Sequence, residues 1–269
     1  MSETNVIEEH FNGSRETEAS VYSIIGHREY QQDYACLLAD PENTLGVICD
    51  GMGGLNGGEL ASRTAAGILA EDYRSMEPET DVCAFLRREA VKMDKAVFNL
   101  RDERGGSMKA GSTAVAVVVQ KDKLYWMSVG DSRIYILRDD SMMAVTRDHN
   151  YRLELQEALE HGEISQETFE TEAGTRMAEA LISYLGMGGL SRIECNAQPF
   201  QLESGDTVLL CSDGLYKSLD EHQIKAMLTD SLVSARVAAK RLVQMALEKA
   251  VKSQDNTTAI VIKYGSGPV

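Results

Sequence analysis

Aspartate is the residue type whose placement in this chain asks for a chemical explanation. Asp50 follows the apolar run TLGVIC and precedes the glycine-rich GMGGLNGG. Asp131 follows a second apolar run in MSVGDS, and Asp213 a third in VLLCSDG. Asp255 stands just before a fourth in SQDNTTAIVI, and Asp33 opens the strand-like DYACLLAD. Each one alone reads as a turn residue, because Asp-Gly and similar pairs are common turn signals. Five such residues at strand termini invite a second reading. Carboxylates gathered at one sheet edge repel each other unless a cation stands between them. Hard divalent ions such as Mg2+ and Mn2+ prefer oxygen ligands. No histidine stands beside these aspartates and no C-x-x-C pair occurs, so zinc is disfavoured. A pair of ions held by carboxylates can acidify a water and clamp a phosphate oxygen. Arg28, in HREYQQD just before Asp33, is the cation placed to grip the other phosphate oxygens. A guanidinium fork fits phosphate better than a lysine point charge, although spacing alone also allows a surface ion pair.

The elements that must position these residues follow from periodicity. Strand patterns cover SVYSII, DYACLLAD and TLGVIC, and return in STAVAVVVQ, KLYWMSVG and RIYILRDD. The last three, joined by KDK and GDS, read as a meander of adjacent antiparallel strands. DTVLLCSD and the closing TTAIVIKY complete the set. Helical spacing predicts a helix from about Glu59 to Tyr73, and a second from about Thr80 to Arg101 with Thr80 or Asp81 as cap. Asn150 to Tyr184 turns helical and charged, with Gly162 as a stop and Ser165 as a new cap. Ser218-x-x-Glu221 reads as a capping box, and a long helix is expected over Leu232 to Lys252. Two strand blocks, each followed by helices, predict sheets packed together and covered by helices.

Composition narrows the function classes. Lys and Arg number 27 against 42 Asp and Glu, for a formal charge of −15. Such a chain repels phosphate backbones and anionic lipid at long range, so neither a nucleic acid nor a membrane is expected as partner. No apolar run approaches the ~20 residues that span a bilayer. The five cysteines are odd in number and widely spaced, which suits reduced thiols and a cytoplasmic location.

The ordered set R-x-x-x-Q-D, DGMGG, GSTA, VGDSRIY, TRDH, CSDGL and DNTT resembles the metal-dependent protein phosphatases of the PP2C (PPM) family, its compact bacterial branch most. The resemblance runs from Gly26 to about Ile262. It implies an α+β fold, a four-layer αββα sandwich of two antiparallel sheets face to face with helices outside. It implies a single domain over 20–265 behind an acidic segment at 1–19, with a helical flap at about 150–177 lining the substrate entrance. Two Mn2+ or Mg2+ ions are implied, with a weaker third. Asp50 would bridge them, the Gly51 carbonyl would be a ligand, and Asp213 and Asp255 would bind one ion from the far side. Asp33 would act through bound water, and Asp131 with Asp213 would hold the third ion. Arg28 would take the substrate phosphate, so that Arg28, Asp50 and Asp213 carry the catalysis. The implied reaction is hydrolysis of phosphoserine and phosphothreonine in proteins by a monomeric enzyme, reversing a Ser/Thr kinase.

Several residues depart from the family pattern. Met52 stands where many members carry histidine, and Gln32 where an acid is frequent. Glu179 and Ser183 in AEALISYLG replace the usual Asn and Arg. Two alternatives are a catalytically inactive partner-binding relative and a metal-dependent hydrolase of small phosphoesters or nucleic acid. Retention of the metal-site aspartates speaks against the first, and the net charge against nucleic acid.

Overall fold

In the run AVAVVVQ, Val115, Val117 and Val119 enter one apolar layer while Ala114, Ala116 and Val118 enter another. Side chains alternate across a strand, so a strand buried on both faces must be apolar throughout. That burial is what the whole architecture supplies. The computed structural model describes residues 7–12, 17–40, 42–54, 57–77, 79–230, 232–250 and 253–265.

The strands are β1 (Ile7–Asn12), β2 (Thr17–Ile24), β3 (Asp33–Ala39), β4 (Asn43–Gly53), β5 (Ala110–Ser112), β6 (Ala114–Gln120) and β7 (Lys123–Val129). They continue as β8 (Arg133–Arg138), β9 (Ser141–Ala144), β10 (Glu194–Cys195), β11 (Phe200–Gln201), β12 (Thr207–Cys211) and β13 (Thr257–Tyr264). The helices are α1 (Gly57–Arg74), α2 (Val82–Phe98), α3 (Tyr151–Glu160), α4 (Gln166–Ala173), α5 (Asp213–Tyr216), α6 (Glu221–Leu228) and α7 (Ala235–Lys249). One sheet runs β1-β2-β13-β12-β8-β9, the other β10-β7-β6-β4-β3, with β5 on β4 and β11 on β7. Every pairing is antiparallel.

Three apolar layers hold the sandwich. Between the sheets lie Val21, Leu37, Ile48, Ile134, Leu210 and Ile260. Outside the β4 sheet, Ala65, Leu69, Leu86 and Met93 of α1 and α2 cover Val47 and Val118. Outside the other, Ala239, Leu242 and Val243 of α7 cover Leu209 and Val261. Each fully buried Leu or Val contributes roughly 1.5–3 kcal/mol of transfer free energy. The expected αββα sandwich is the observed fold.

Local expectations fail where tertiary structure decides. KDK does turn β6 into β7 within one sheet, but GDS does not turn β7 into β8. It carries the chain from one sheet to the other, where β8 pairs with β12. The capping box of α6 is Asp220 with Gln223, not Ser218 with Glu221. Ser218 instead donates to Gln254 Oε1 at 2.9 Å. Asp81, not Thr80, caps α2, which ends at Phe98 rather than Arg101. Helix α7 starts at Ala235, not Leu232, with Ser234 as its cap. Ser165 caps α4 as expected, and Gly162 follows α3 with a φ of 71°. Strand β2 starts at Thr17, and β1 adds to its edge.

Candidate metal centre

Asp50 does not end its strand. Strand β4 continues to Gly53, and the position marks a change of partner. Up to Ile48 it pairs with β6, and from Gly51 to Gly53 with β5. On the other side Asp33, the first residue of β3, lies directly opposite Asp50. The switch is fixed by Thr113, whose Oγ1 accepts from the Asp50 amide at 3.1 Å and whose own amide donates to the Asp50 carbonyl at 2.8 Å. The carboxylate of Asp50 accepts no hydrogen bond from a described residue, while burial, and then Asp33 and Asp213, raise its pKa well above the usual range.

Gly51 is where the backbone must come close. A Cβ there would stand 2.0 Å from the Gly58 carbonyl oxygen and 2.7 Å from that of Gln32. Helix α1 begins at Gly57, two residues before the expected Glu59, so its first turn packs directly on Gly51. Gln32 braces the same loop: its carbonyl accepts from the Gly51 amide at 3.0 Å and its Nε2 donates to the Gly53 carbonyl at 3.1 Å. The amide replaces a frequent family acid and here serves as a backbone donor.

Asp33 ties the sheets together. It is 3% exposed. Its Oδ2 accepts from Ser212 Oγ and Thr258 Oγ1, each at 2.7 Å, so the residue that follows β12 and a residue of β13 in one sheet orient an acid on the other. Gln31 and Ser23 continue this chain, Gln31 donating to Ser23 at 3.0 Å and Ser23 standing 2.7 Å from Thr258. Asp33 Oδ1 is buried with no partner among the described residues. Burial is the main cause that pushes Asp33 up to about 7, against the pull of the two hydroxyls.

The remaining acids lie nearer the rim. Asp255 pairs with Arg28 at 2.5 Å, both side chains substantially exposed. Asn256 anchors this corner, accepting from the Gln32 amide at 2.8 Å and donating to the Ile25 and Tyr30 carbonyls at 2.8 and 3.1 Å. Asp213 opens α5 and is ion-paired with Lys217, one turn on. Lys217 Nζ also stands 3.9 Å from Asp131 Oδ2. Asp131 sits in the crossover between the sheets, and burial, then Asp213, push it up to about 6. Tyr216 OH donates to the Asp131 carbonyl at 3.0 Å, and Arg133 lies over the Tyr216 ring at 3.6 Å.

The structure thus gathers Asp33, Asp50, Gly51, Asp131, Asp213, Asp255 and Arg28 at one end of the sandwich. Sequence reasoning missed Lys217, Ser212, Thr258 and Thr113. Among the described residues no three acidic, histidine or cysteine side chains form a ready-made ligand cage. Asp33, Asp213 and Asp255 are held by the protein's own hydroxyls and cations. The donor set nevertheless suits a hard divalent ion. It is all oxygen, includes a buried carboxylate oxygen with no partner, and surrounds a backbone position too tight for any side chain.

Beyond this end of the sandwich, the segment after β9 forms α3 and α4, capped by Asn150 and Ser165 and joined by Tyr151 OH to Glu172 Oε2 at 3.0 Å. Ser183 is buried at its root, donating to the Arg192 carbonyl at 2.8 Å, and Glu179 pairs with Arg152 at 2.7 Å. Both departures from the family pattern therefore have structural partners here.

Two antiparallel sheets between helical layers, with acids converging at one end, define the phosphatase-type sandwich. A family model, Protein phosphatase 2C, matches residues 22–252. The serine/threonine phosphatase stp of Listeria welshimeri is 27% identical over 241 residues, 88% of this chain and 91% of that protein. The Mycobacterium tuberculosis serine/threonine phosphatase PstP/Ppp superposes with a TM-score of 0.77 at 25% identity, over 93% of this chain and 99% of that one. The catalytic domain of PstP in complex with two manganese ions superposes with a TM-score of 0.72 at 26% identity, over 92% and 98%. The chain belongs to the protein phosphatase 2C family.

Proposed function

We propose that this chain hydrolyses phosphoserine and phosphothreonine esters in proteins at the aspartate cluster, with Mn2+ or Mg2+ as cofactor. The observation that carries this reading is Asp33: a buried carboxylate with one oxygen fixed by two hydroxyls and the other without a protein partner. Family membership and the two manganese ions of the PstP catalytic domain support it. Bound ions would supply Lewis-acid charge and an activated water. Asp50, the Gly51 carbonyl, Asp213 and Asp255 would hold them, Asp33 would orient water at their edge, and Asp131 with Asp213 would hold a weaker third.

The chain's own residues then have distinct tasks. Ser212 and Thr258 fix the Asp33 carboxylate without cancelling its charge. Thr113 and Gln32 lock the backbone around Asp50 and Gly51. Arg28 binds the substrate phosphate. Its pairing with Asp255 is exposed on both sides, and such pairs contribute little, so a phosphate can replace the carboxylate at small cost. No described helix is long and apolar enough to cross a membrane, which suits a phosphoprotein substrate reached from solvent. A Ser/Thr protein kinase is the proposed functional counterpart, and a cytoplasmic monomer the proposed working form.

Purified protein with Mn2+ should release phosphate from phosphoserine and phosphothreonine peptides and from p-nitrophenyl phosphate, and EDTA should stop it. Equal, EDTA-resistant rates for wild type and Asp213→Asn would overturn the reading. Release from ATP but not from phosphopeptides would favour the small-phosphoester alternative.

A further inference from the structure

Lys217 is a positive charge built into an otherwise acidic centre. It is the C-cap of the short helix α5, and its amide donates to the Asp213 carbonyl at 3.0 Å. One helical turn separates the two residues, so their side chains share a face, and the ammonium rests on Asp213 Oδ2. The same ammonium lies 3.9 Å from Asp131 Oδ2. The root of the lysine is held firmly. The preceding Tyr216 donates to the Asp131 carbonyl at 3.0 Å and is covered by Arg133, which Asp148 grips with two bonds of 2.9 and 2.8 Å. The α5 backbone and the Asp131 crossover are therefore clamped together, with the lysine directed at both carboxylates.

We propose that Lys217 is a resident cation of the centre, its ammonium taking the place between Asp213 and Asp131 that a divalent ion would otherwise fill. This rests on the metal-centre reading above and adds a property of this chain to it. A fixed single charge at that position neutralises the two acids when divalent ions are scarce, and repels an incoming ion when they are abundant. The centre should therefore take up ions at its Asp50 side well before its Asp131 side.

The test is calorimetric titration of the full-length, metal-stripped protein with Mn2+, comparing wild type, Lys217→Gln and Lys217→Arg. Removing a unit charge that pairs with Asp213 and stands 3.9 Å from Asp131 Oδ2 should tighten the weakest Mn2+ step at least about tenfold, or add a further ion to the stoichiometry. Lys217→Arg, which keeps the charge, should titrate like wild type. Thermal melts of the same samples identify any variant that has lost its fold, and Lys217→Met then replaces Lys217→Gln. Superimposable isotherms for wild type and a folded, uncharged variant overturn the inference while leaving the metal centre intact. A raised KM for p-nitrophenyl phosphate with an unchanged isotherm would make the lysine a phosphate contact instead, and also overturns it. Failure of all the proteins to bind Mn2+ removes the metal-centre reading, and this inference with it.

Discussion

Asp33 and Asp213 come from opposite sheets to the same end of the sandwich, and the fold holds them by opposite means. Asp33 is buried and fixed by two neutral hydroxyls, and its second oxygen has no protein partner. Asp213 lies closer to solvent and is held by the ammonium of Lys217. Neutral donors orient a carboxylate while leaving its charge to be met by something else. A cation meets the charge itself and competes with any ion that would take its place. The inner wall of the centre is therefore preorganised and electrostatically unsatisfied, and the rim, where Arg28 pairs with Asp255 as Lys217 does with Asp213, is already satisfied. A site built this way would take up ions at its inner wall before its rim.

The largest expected effect comes from removing a rim acid altogether. Losing even a partner that merely orients a metal ligand costs about 10–100-fold in metal affinity or activity. Asp213→Asn, which removes a proposed ligand, should lower Mn2+-dependent phosphate release by more than about 100-fold. Near-wild-type turnover in this variant would mean that Asp213 belongs to the lysine pair alone.

The inner wall is tested by Thr258→Val, which keeps the shape of the side chain and deletes the donor to Asp33 and the contact with Ser23. Mn2+ affinity should fall about 10–100-fold. An unchanged titration in a folded variant would show that Ser212 alone orients Asp33. Arg28→Ala should separate the two regions further. Hydrogen bonds to charged groups contribute about 1.5–3 kcal/mol, so kcat/KM for a phosphopeptide should fall about tenfold or more, with no loss of Mn2+ affinity. A variant that lost metal rather than substrate would place Arg28 in the inner wall's support instead.

Much of this centre is legible in the sequence, because a short acid interrupting an apolar run has few explanations. Asp33 opens β3, Asp131 and Asp213 follow closely on β7 and β12, and Asp255 just precedes β13, as their motifs suggest, while Asp50 lies inside a longer strand. What escapes is whatever depends on distant partners. Ser212 and Thr258 lie inside the motifs CSDGL and DNTT, but they reach Asp33 across 179 and 225 positions, and nothing local shows that it is their partner. The GDS connection fits a turn within a sheet as well as a step between sheets, and only the pairing of β8 with β12 decides. Ser218-x-x-Glu221 and Asp220-x-x-Gln223 both fit a capping pattern, and Ser218 is drawn away by Gln254. Lys217 was within reach, since a lysine four residues after an acid at a helix start is a local pair.

The smallest effect is a difference in how stability responds to pH, and it separates the two regions without any assay of activity. An aspartate whose pKa is higher folded than unfolded binds more protons in the folded state, so its contribution to stability falls as pH rises through that interval. Burial raises Asp33 to about 7 and Asp131 to about 6, against about 3.9 in an unfolded chain. Both therefore destabilise the metal-free protein progressively between about pH 4 and pH 7. His149, held below its ordinary value by burial, has the opposite slope just below that ordinary value, so the raw melting curve mixes the two. Comparison with Asp33→Asn cancels the histidine. In EDTA the variant should gain on wild type as pH is raised from 5 to 7.5, by about 5 °C or more in Tm. Saturating Mn2+ should reverse that gain, because the ion needs the deprotonated carboxylates and stabilises the fold that presents them. Parallel Tm profiles for the two proteins in EDTA would mean that Asp33 is already charged in the metal-free fold, and that its two hydroxyls satisfy it better than its unpartnered oxygen implies.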